Sequence, residues 1–395
     1  MFLLNNRPVH AKYPANGYGA QGMVGAIMVS TLILIAGTAQ AGTATGRGIF
    51  VSLIEKKPVL SSRQAMDDVV ALARQARITV VFLQVYRANQ AWFPSRVGDA
   101  APYARALEAV GEDPVALFIR KAHAAGIEVH AWVNLLSLST NTQAPLLKKY
   151  GCRILTRNVV AKKKLEDYKI DGQYFLEPGD PRVRKELEAM TGELLLRYPQ
   201  LDGIQFDYIR YPDAKPAYGY TCANLERFRK VVRVMSFREA TPAWQNWKRA
   251  QVTGLLRQLV ARARAIHPDI HISTTGCMSY FRAYHEAFQD WPSWVNDGLV
   301  EFVSVMSYPD NVPDFIEQMA EVREHVVDFT KVNMCVGAYK FIKTPAIFGE
   351  QFSVCEQSGA RACLVFYYGN LKDNPALAES LTLPHQSAER PRSRD

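Results

Sequence analysis

The sequence predicts an α/β protein of the (β/α)8 TIM-barrel class, with eight parallel strands closed into a ring and surrounded by helices. Three observations support this prediction. Short β-rich apolar runs recur along the chain, amphipathic helical stretches separate them, and two connections after strands are far longer than simple turns. A doubly wound open sheet is the alternative, but no GxGxxG motif follows the first strand.

The predicted strands are segments in which β-branched and aromatic residues cluster. In chain order they are residues 48–54, 78–85, 127–134, 201–208, 270–276, 302–308, 332–339 and 363–369. The clearest helices begin, in three of four cases, with a Ser cap or a Pro in the first turn. These helices are residues 61–75, 114–125, 181–198 and 244–266.

The long loops follow the third and fourth strands, at residues 135–174 and 211–242. In this fold, segments after the carboxyl ends of strands build the active-site face. Cys152 lies in the first loop and Cys222 in the second. We expect a disulfide between them, one of several pairings that six Cys residues allow.

The first 41 residues have the pattern of a secretory signal peptide. Arg7 and Lys12 precede an uncharged apolar run at residues 23–35, and small residues follow it. The run is shorter than the roughly 20 residues that span a bilayer, although a retained anchor is the alternative. We therefore expect a secreted or periplasmic protein, with a barrel at residues 42–384 and a disordered tail at 385–395.

Charge and cysteine content narrow the possible partners. The chain carries a net charge of +9, and Lys and Arg are dispersed except at residues 162–164, which disfavours nucleic-acid binding. No CxxC motif or Cys/His cluster indicates a metal site, and no cofactor is predicted. We expect a monomer that acts on a polysaccharide or oligosaccharide and does not stay in the membrane after signal cleavage.

The fourth strand, in "LDGIQFDYIRYP", places two acids in an apolar segment. In a barrel strand alternate residues face the lumen, so Gly203, Gln205 and Asp207 form the inward set. Asp207 ends the strand at the open mouth, where an unpaired carboxylate is costly unless it is bound or used. Asp202, at the strand start, is expected to belong to the scaffold.

Other strands gather polar inward residues in the same way. Gln84, His130 and His271 are examples, and the histidines have a second interpretation as core residues. Gln84 and Gln205 either hydrogen-bond to each other or contact the substrate. Aromatic residues cluster past the strand ends, and a cleft that mixes aromatic faces with polar groups suits a glycan.

At this point the sequence resembles the glycosyl-hydrolase-like family ten. The likeness rests on "ITVVFLQVYRANQAWFPS", "GIEVHAWVNLLS", "FLEPGDPRVRKELEAMTGELLLRYPQLDGIQFDYIRYP", "WQNWKRAQV" and "FVSVMSY". The resemblance implies an exported bacterial barrel related to α-amylase-type glycoside hydrolases. In the amylase-type DGxRxD pattern the nucleophile falls on Asp207, whereas Gln205 replaces the Arg.

A chitinase-like pattern, DGxDxDxE, is also similar, but its general acid falls on Ile209, which cannot protonate a leaving group. The amylase-type acid belongs at the end of the fifth strand, where "TTGCMSY" has none. Hydrolysis needs a second carboxyl group. Our candidates are Asp310 and then Glu177, followed by Asp213 and Glu55.

The sequence therefore predicts an exported glycoside hydrolase that cleaves a bacterial envelope or extracellular polysaccharide, with amino-sugar polymers among the candidates and Asp207 as nucleophile or base. The alternative is a non-catalytic glycan-binding barrel that has lost its acid. The absence of GxSxG and HExxH disfavours a non-sugar hydrolase. The expected substrate-binding residues are Tyr86, Arg87, Asn89, Trp92, His130, Trp132, Asn134, Gln205, Tyr208, Arg210, Tyr280 and Tyr308.

Overall fold

The computed structural model describes residues 45–55, 58–160, 162, 164–212, 218–232 and 242–382. The predicted signal segment, the predicted tail and Asp213 lie outside the described residues. Within the described ranges, no helix is long and apolar enough to cross a bilayer.

Eight parallel strands close into a barrel, which confirms the predicted fold class. The first strand pairs with both the second and the eighth, and this pairing closes the ring. In chain order the strands are β1 (Gly46–Val51), β2 (Val80–Arg87), β3 (Glu128–Asn134), β4 (Gly203–Asp207), β5 (His271–Cys277), β6 (Phe302–Met306), β7 (Val332–Gly337) and β8 (Ala362–Phe366).

Helices lie between and around the strands. They are α1 (Arg63–Gln75), α2 (Ala101–Val110), α3 (Pro114–Ala124), α4 (Pro145–Tyr150), α5 (Pro181–Arg197), α6 (Cys222–Val232), α7 (Pro242–Ile266), α8 (Tyr280–His285), α9 (Trp291–Asn296), α10 (Val312–His325), α11 (Pro345–Glu356), α12 (Tyr368–Asp373) and α13 (Pro375–Ser380). Sequence signals explain several starts, since Ser62, Asp113 and Asp180 accept backbone N–H groups at the first turns of α1, α3 and α5. The eighth strand is shorter than predicted because α12 begins at Tyr368.

The long loop after β3 has secondary structure of its own. Ser137–Ser139 pairs antiparallel with Tyr174–Phe175, and α4 lies between these two short strands. The loop is tied to the segment after β4 because Gly219 N donates to Thr156 Oγ1 at 3.1 Å. The described parts of the two predicted long loops therefore contact each other on the carboxyl side of the barrel.

The disulfide differs from the expected one. Cys355, in the last turn of α11, pairs with Cys363 at the start of β8, while the thiols of Cys152 and Cys222 are free. The Cα atoms of the bridged pair are 6.0 Å apart, within the range that a disulfide spans. The turn between α11 and β8 brings these two residues together. The prediction missed this pair because strand periodicity does not show how a helix turns back onto the next strand.

The barrel interior is filled by its own cluster of side chains, separate from the core between strands and helices. Its aromatic members are Phe50, Phe82, Trp132 and Phe302. Phe50 and Phe82 stack with centroids 5.0 Å apart, and Phe50 meets Trp132 edge to face at 5.1 Å. These rings fill the lumen beneath the carboxyl ends of the strands.

Candidate functional site

Asp207 is the last residue of β4 and faces Asn134, its register partner on β3. Both side chains point into the barrel. On β4, Asp207 lies above the other two inward residues, Gln205 and Gly203. Asp207 is nearly buried, with 4% of the residue exposed. It therefore forms part of the floor of the barrel mouth.

Four donors surround the Asp207 carboxylate. Its Oδ1 accepts from Thr275 Oγ1 at 2.6 Å, from Tyr208 N at 2.6 Å and from Arg210 Nη1 at 3.4 Å. Its Oδ2 accepts from Trp132 Nε1 at 2.9 Å. These donors fix the carboxylate in one orientation and leave Oδ2 with the greater spare capacity to accept.

The backbone after Asp207 contributes to this arrangement. Tyr208 has φ +53°, a left-handed conformation that is uncommon for a residue with a side chain. Such conformations cost about 1–3 kcal/mol and cluster at functional sites. The Arg210 guanidinium lies 4.3 Å from the centroid of the Tyr208 ring, which places a cation between that ring and the carboxylate.

An aromatic wall, which we define as Tyr308, Tyr339, Phe366 and Tyr367, lines the mouth at the ends of β6, β7 and β8. Phe366 lies at its centre, 5.4 Å from Tyr308 and 5.5 Å from Tyr367 between ring centroids. Phe366 also approaches Trp132, the donor to Asp207, at 6.2 Å. Burial, with a smaller contribution from the negative charge of Asp207, raises the pKa of Tyr308 well above its usual value, so its phenol remains a proton donor.

Gln84 and Gln205 do not hydrogen-bond to each other, so the first of the two alternatives, a mutual hydrogen bond across the lumen, does not hold. Gln84 donates to Asn134 Oδ1 at 2.9 Å and accepts from Ser52 Oγ at 3.1 Å. Gln205 accepts from Ser304 Oγ at 2.8 Å inside the lumen and is fully buried. Asn134 is the member of this group that reaches the mouth.

A β-bulge in β2 changes the position of Tyr86. The register between β2 and β3 shifts between Gln84 and Tyr86, so the inward alternation ends at Gln84. The buried Tyr86 ring joins the core outside the barrel, and its hydroxyl accepts from Asn89 Nδ2 at 2.7 Å. The structure therefore does not bring Tyr86 to Asp207.

The neighbours of Tyr86 are also held by the protein itself. Asn89 is buried, with φ +58°, and its Oδ1 accepts from Leu146 N at 2.9 Å. Trp92 packs against the outer core. Arg87 remains half-buried near Tyr208, and burial lowers its pKa. Of the four residues predicted at the end of β2, Arg87 is the one that interacts electrostatically with a residue after β4, Tyr208.

His130 lies at the other end of the barrel from Asp207. It pairs in register with Gly203, four residues before Asp207 on β4, which corresponds to about 13 Å along the strand. Its ring is 1% exposed and stacks parallel to His271 at 6.0 Å. Asp202, also at this end, accepts from Val129 N at 2.7 Å, which fits the expected scaffold role.

The two candidate second carboxyl groups differ in environment. Glu177 is fully buried and accepts from the Tyr211 hydroxyl. Burial raises its pKa above the usual value, while its hydrogen bonds oppose the shift. Asp310 is exposed on the loop after β6, two residues beyond Tyr308, and accepts from Asn311 Nδ2 at 3.2 Å.

Glu55, after β1, is a third carboxyl group at the rim. It is half-buried, and its Oε2 lies 3.7 Å from Lys372 Nζ. Burial raises the pKa of Glu55, and the nearby lysine opposes this shift. The other oxygen, Oε1, is buried without a hydrogen-bond partner among the described residues. Glu55 therefore combines a raised pKa with a position on the active-site face.

Tyr280 belongs to a different surface. Its hydroxyl donates to Asp290 Oδ1 at 2.9 Å, its N–H donates to Glu321 Oε1 at 2.7 Å, and its ring lies 4.4 Å from His325. These partners line a groove of about 640 Å³ beside α8, outside the barrel. Tyr280 follows the end of β5, as predicted, but the short helix α8 directs its side chain outward. The structure therefore does not bring Tyr280, a predicted substrate-binding residue, to the mouth.

Four contributors to the mouth were absent from the predicted site residues: Thr275, Tyr339, Phe366 and Tyr367. Thr275 follows the inward alternation of β5, which could have identified it as a neighbour of Asp207. Phe366 has no such signal, because nothing in the sequence distinguishes an aromatic residue of the wall from one of the core. Among the described residues, no group of three or more His, Cys, Asp and Glu side chains could hold a metal ion.

Solved glycoside hydrolases share this barrel. The glycoside hydrolase domain of PgaB (BpsB) from Bordetella bronchiseptica superposes with a TM-score of 0.65 at 14% identity, over 86% of this chain and 100% of that one. The catalytic domain of β-amylase from Paenibacillus polymyxa gives 0.55 at 12% identity, over 86% and 98%. The protein therefore has the (β/α)8 barrel fold that these two glycoside hydrolases share.

More specifically, the chain belongs to the family described as Glycosyl hydrolase-like 10, whose model matches residues 46–353. This confirms the resemblance seen in the sequence. Glycosyl hydrolase DigH of Escherichia coli (strain K12) is 24% identical over 307 residues, 69% of this chain and 67% of that protein. Glycosyl hydrolase YngK of Bacillus subtilis (strain 168) is 23% identical over 62% of this chain and 48% of that protein. The family and the fold support a role in glycan processing.

Proposed function

We propose that this protein is an exported glycoside hydrolase that cleaves a bacterial envelope or extracellular polysaccharide, with Asp207 as nucleophile or base. The observation that carries the proposal is the Asp207 carboxylate, oriented by four donors at the floor of the mouth. An orienting shell of this kind is what a reacting group needs in order to meet one atom of its substrate. The relatives named glycosyl hydrolases support the same reaction class.

The two oxygens of Asp207 have different roles in this proposal. Thr275, Tyr208 and Arg210 hold Oδ1, which leaves Oδ2 to attack the anomeric carbon or to accept a proton from water. A second carboxyl group protonates the leaving oxygen. In the described residues, Asp310 and Glu55 have access to the active-site face, whereas Glu177 does not reach solvent.

The substrate class follows from the surfaces around Asp207. The aromatic wall offers ring faces for the apolar side of a sugar, and Asn134 and Arg210 offer donors for its hydroxyl groups. Amino-sugar polymers of the bacterial envelope fit this mixture. Export is supported by the leader pattern and by the Cys355–Cys363 disulfide, because such bonds persist in oxidising compartments.

The central test is Asp207→Asn, assayed on a panel of envelope and extracellular polysaccharides by the release of reducing ends. We expect a loss of at least about 10²-fold, since a positioned acid or base contributes about 10²–10⁴-fold. Asp202→Asn is the matched control, because it makes the same change at the opposite end of β4 and should keep activity. If Asp207→Asn cleaves every glycan as fast as the parent, the assignment is wrong.

The proton donor is identified by comparing Asp310→Asn, Glu55→Gln and Glu177→Gln. A variant that lacks the acid loses activity on a natural glycosidic bond but keeps more of it on a nitrophenyl glycoside, whose leaving group needs little protonation. Variants that lower both activities equally affect structure or binding. The distinction does not require knowledge of the linkage.

A non-catalytic glycan-binding barrel is the second candidate. The observation that favours it is Thr275, a hydroxyl near the end of β5 where the amylase-type pattern has its acid. A bound oligosaccharide whose chain length stays unchanged after long incubation would support this candidate. Product formation that depends on Asp207 would exclude it.

A further inference from the structure

The groove beside α8 contains features that the proposed reaction does not use. We name it the α8 groove and define it by Tyr280, Phe281, Tyr284, Asp290, Glu321 and His325. Its volume of about 640 Å³ falls within the range of about 300–1,000 Å³ typical of small-ligand sites. It lies outside the barrel between α8, α9 and α10, and therefore does not open into the mouth.

Aromatic rings form one side of the α8 groove. Phe281 is 64% exposed, so its ring is accessible to a ligand. Its ring lies 4.7 Å from His285, and His285 lies 5.0 Å from Tyr284. These three residues make a run of rings along one short helix. The Arg249 guanidinium lies 3.8 Å from the centroid of the Tyr284 ring, so Phe281 offers the most accessible ring face of the groove.

Carboxylates form the opposite side. Tyr280 occupies one oxygen of Asp290 through its hydroxyl and one oxygen of Glu321 through its N–H. The second oxygen of each acid makes no hydrogen bond to the described residues. Two fixed acceptors that line the same groove as these rings suit a ligand with apolar ring faces and hydroxyl or amino groups at its edges.

The loop that carries the groove is tied to the wall of the candidate active site. Gln289, next to Asp290, accepts from Cys277 N at 2.9 Å and donates to Thr275 O at 3.0 Å. Thr275 in turn donates to Asp207. The loop that carries the groove is therefore fixed to the β5 edge of the barrel, the same edge that supplies Thr275 to Asp207.

We propose that the α8 groove is a second glycan-binding site that holds a distant stretch of the polysaccharide whose cleavage is proposed above. This inference rests on the proposed function. Binding at two connected positions raises the effective concentration of the chain at the mouth. The site therefore favours long substrates and contributes nothing to the cleavage of short ones.

The binding test uses the full chain with Asp207→Asn, which removes turnover. Colloidal chitin and chitosan beads serve as neutral and cationic amino-sugar probes, and bound protein is measured by depletion. Phe281→Ala combined with Tyr284→Ala should weaken binding by about tenfold, from the loss of two stacking rings. Glu321→Gln should weaken it as well, with the larger effect on chitosan, because an amide does not attract an ammonium group as a carboxylate does.

Leu196→Ala is the matched control, since Leu196 is an exposed apolar residue on α5, away from the groove. It should leave binding unchanged. Equal binding by the parent and by both groove variants would overturn the proposal. A thermal unfolding curve verifies that the double variant folds, and Phe281→Ala alone, at an exposed position, serves as the milder variant.

A kinetic test separates this proposal from the proposed function. With Asp207 intact, the Phe281 and Tyr284 double variant should cleave polymer more slowly and short oligosaccharides at the parent rate. Equal loss on both would refute a role restricted to long chains. If the parent cleaves neither, the proposed function fails, and the binding experiment still decides whether the groove holds a glycan.

Discussion

Replacing Gly203 by Ala tests why a glycine follows Asp202 at the start of β4. A Cβ at this position would lie 2.6 Å from His130 Cγ and closer still to two other ring atoms. The ring has no room to move, because its centroid lies 5.2 Å from Phe82, 5.8 Å from Phe302 and 6.0 Å from His271. The glycine therefore makes space for a buried imidazole at the bottom of the barrel.

The expected cost of Gly203→Ala is the difference between two opposing effects. Overpacking a filled core costs about 1–3 kcal/mol and occasionally more. Replacing a strand glycine by alanine returns about 0.5–1 kcal/mol, since alanine loses less backbone entropy. The clash is the larger effect, so we expect a net loss of about 1–2 kcal/mol or more in the free energy of unfolding.

Urea denaturation measures this loss as a lower midpoint at constant slope. Gly46→Ala is the matched control, because its Cβ would meet Arg361 O at 3.3 Å and the Ala362 side chain at 3.4 Å, which is nearly normal contact. Adding His130→Ala to Gly203→Ala removes the obstacle and should restore part of the stability. The explanation is refuted if Gly203→Ala is as stable as the parent, or if the double variant is no more stable than Gly203→Ala.

Two further predictions concern stability. Glu177→Gln should stabilise the protein at neutral pH. Burial raises the pKa of Glu177 in the folded state, so ionisation of Glu177 destabilises the folded protein as the pH rises from about 4.5 through that pKa. In melting curves, the advantage of the variant should therefore vanish toward pH 4.5. An advantage that grows on acidification would contradict this reasoning. Cys355→Ala combined with Cys363→Ala should lower the free energy of unfolding by about 2–3 kcal/mol, the loop-entropy estimate for residues 8 apart. A reducing agent should lower the urea midpoint of the parent but not of the variant, and a parent that is insensitive to reduction would contradict the bridge.

The sequence was a good guide to the position of Asp207 for a physical reason. Alternation along β4 is uninterrupted from Gly203 to Asp207, so counting in twos identifies the inward face. The same count fails on β2, where a bulge adds a residue and directs Tyr86 into the outer core. Local periodicity contains no sign of that bulge.

His130 shows a second limit of the same reasoning. Alternation correctly assigns its side chain to the lumen, but it does not give the height of a residue along the barrel axis. Height depends on the stagger between neighbouring strands, and the pairing of His130 with Gly203 places it near the bottom. Stagger is set by long-range packing, which a single strand does not encode.

Loop residues are the hardest to place, and the three candidate proton donors are among them. Asp310, Glu177 and Glu55 all follow elements that end on the active-site side, yet one is exposed, one is buried beneath Tyr211 and one is half-buried beside Lys372. These differences come from the course of each loop. The sequence alone could name the candidates but not their environments.

The unequal surroundings of the Asp207 oxygens constrain how a sugar can react there. Three donors hold Oδ1, so a carbon attacked by this residue must approach Oδ2, on the side of Trp132. Trp132 leads to Phe366 and the aromatic wall, which would place the sugar ring between the carboxylate and that wall. The leaving oxygen then points away from Asp207 toward the rim, where Glu55 and Asp310 lie. A retaining reaction needs its two carboxyl groups about 5–5.5 Å apart, whereas an inverting one leaves about 6.5–9.5 Å for a water molecule. The attack on carbon described here belongs to the retaining case, and in the inverting case Oδ2 would instead accept a proton from the attacking water.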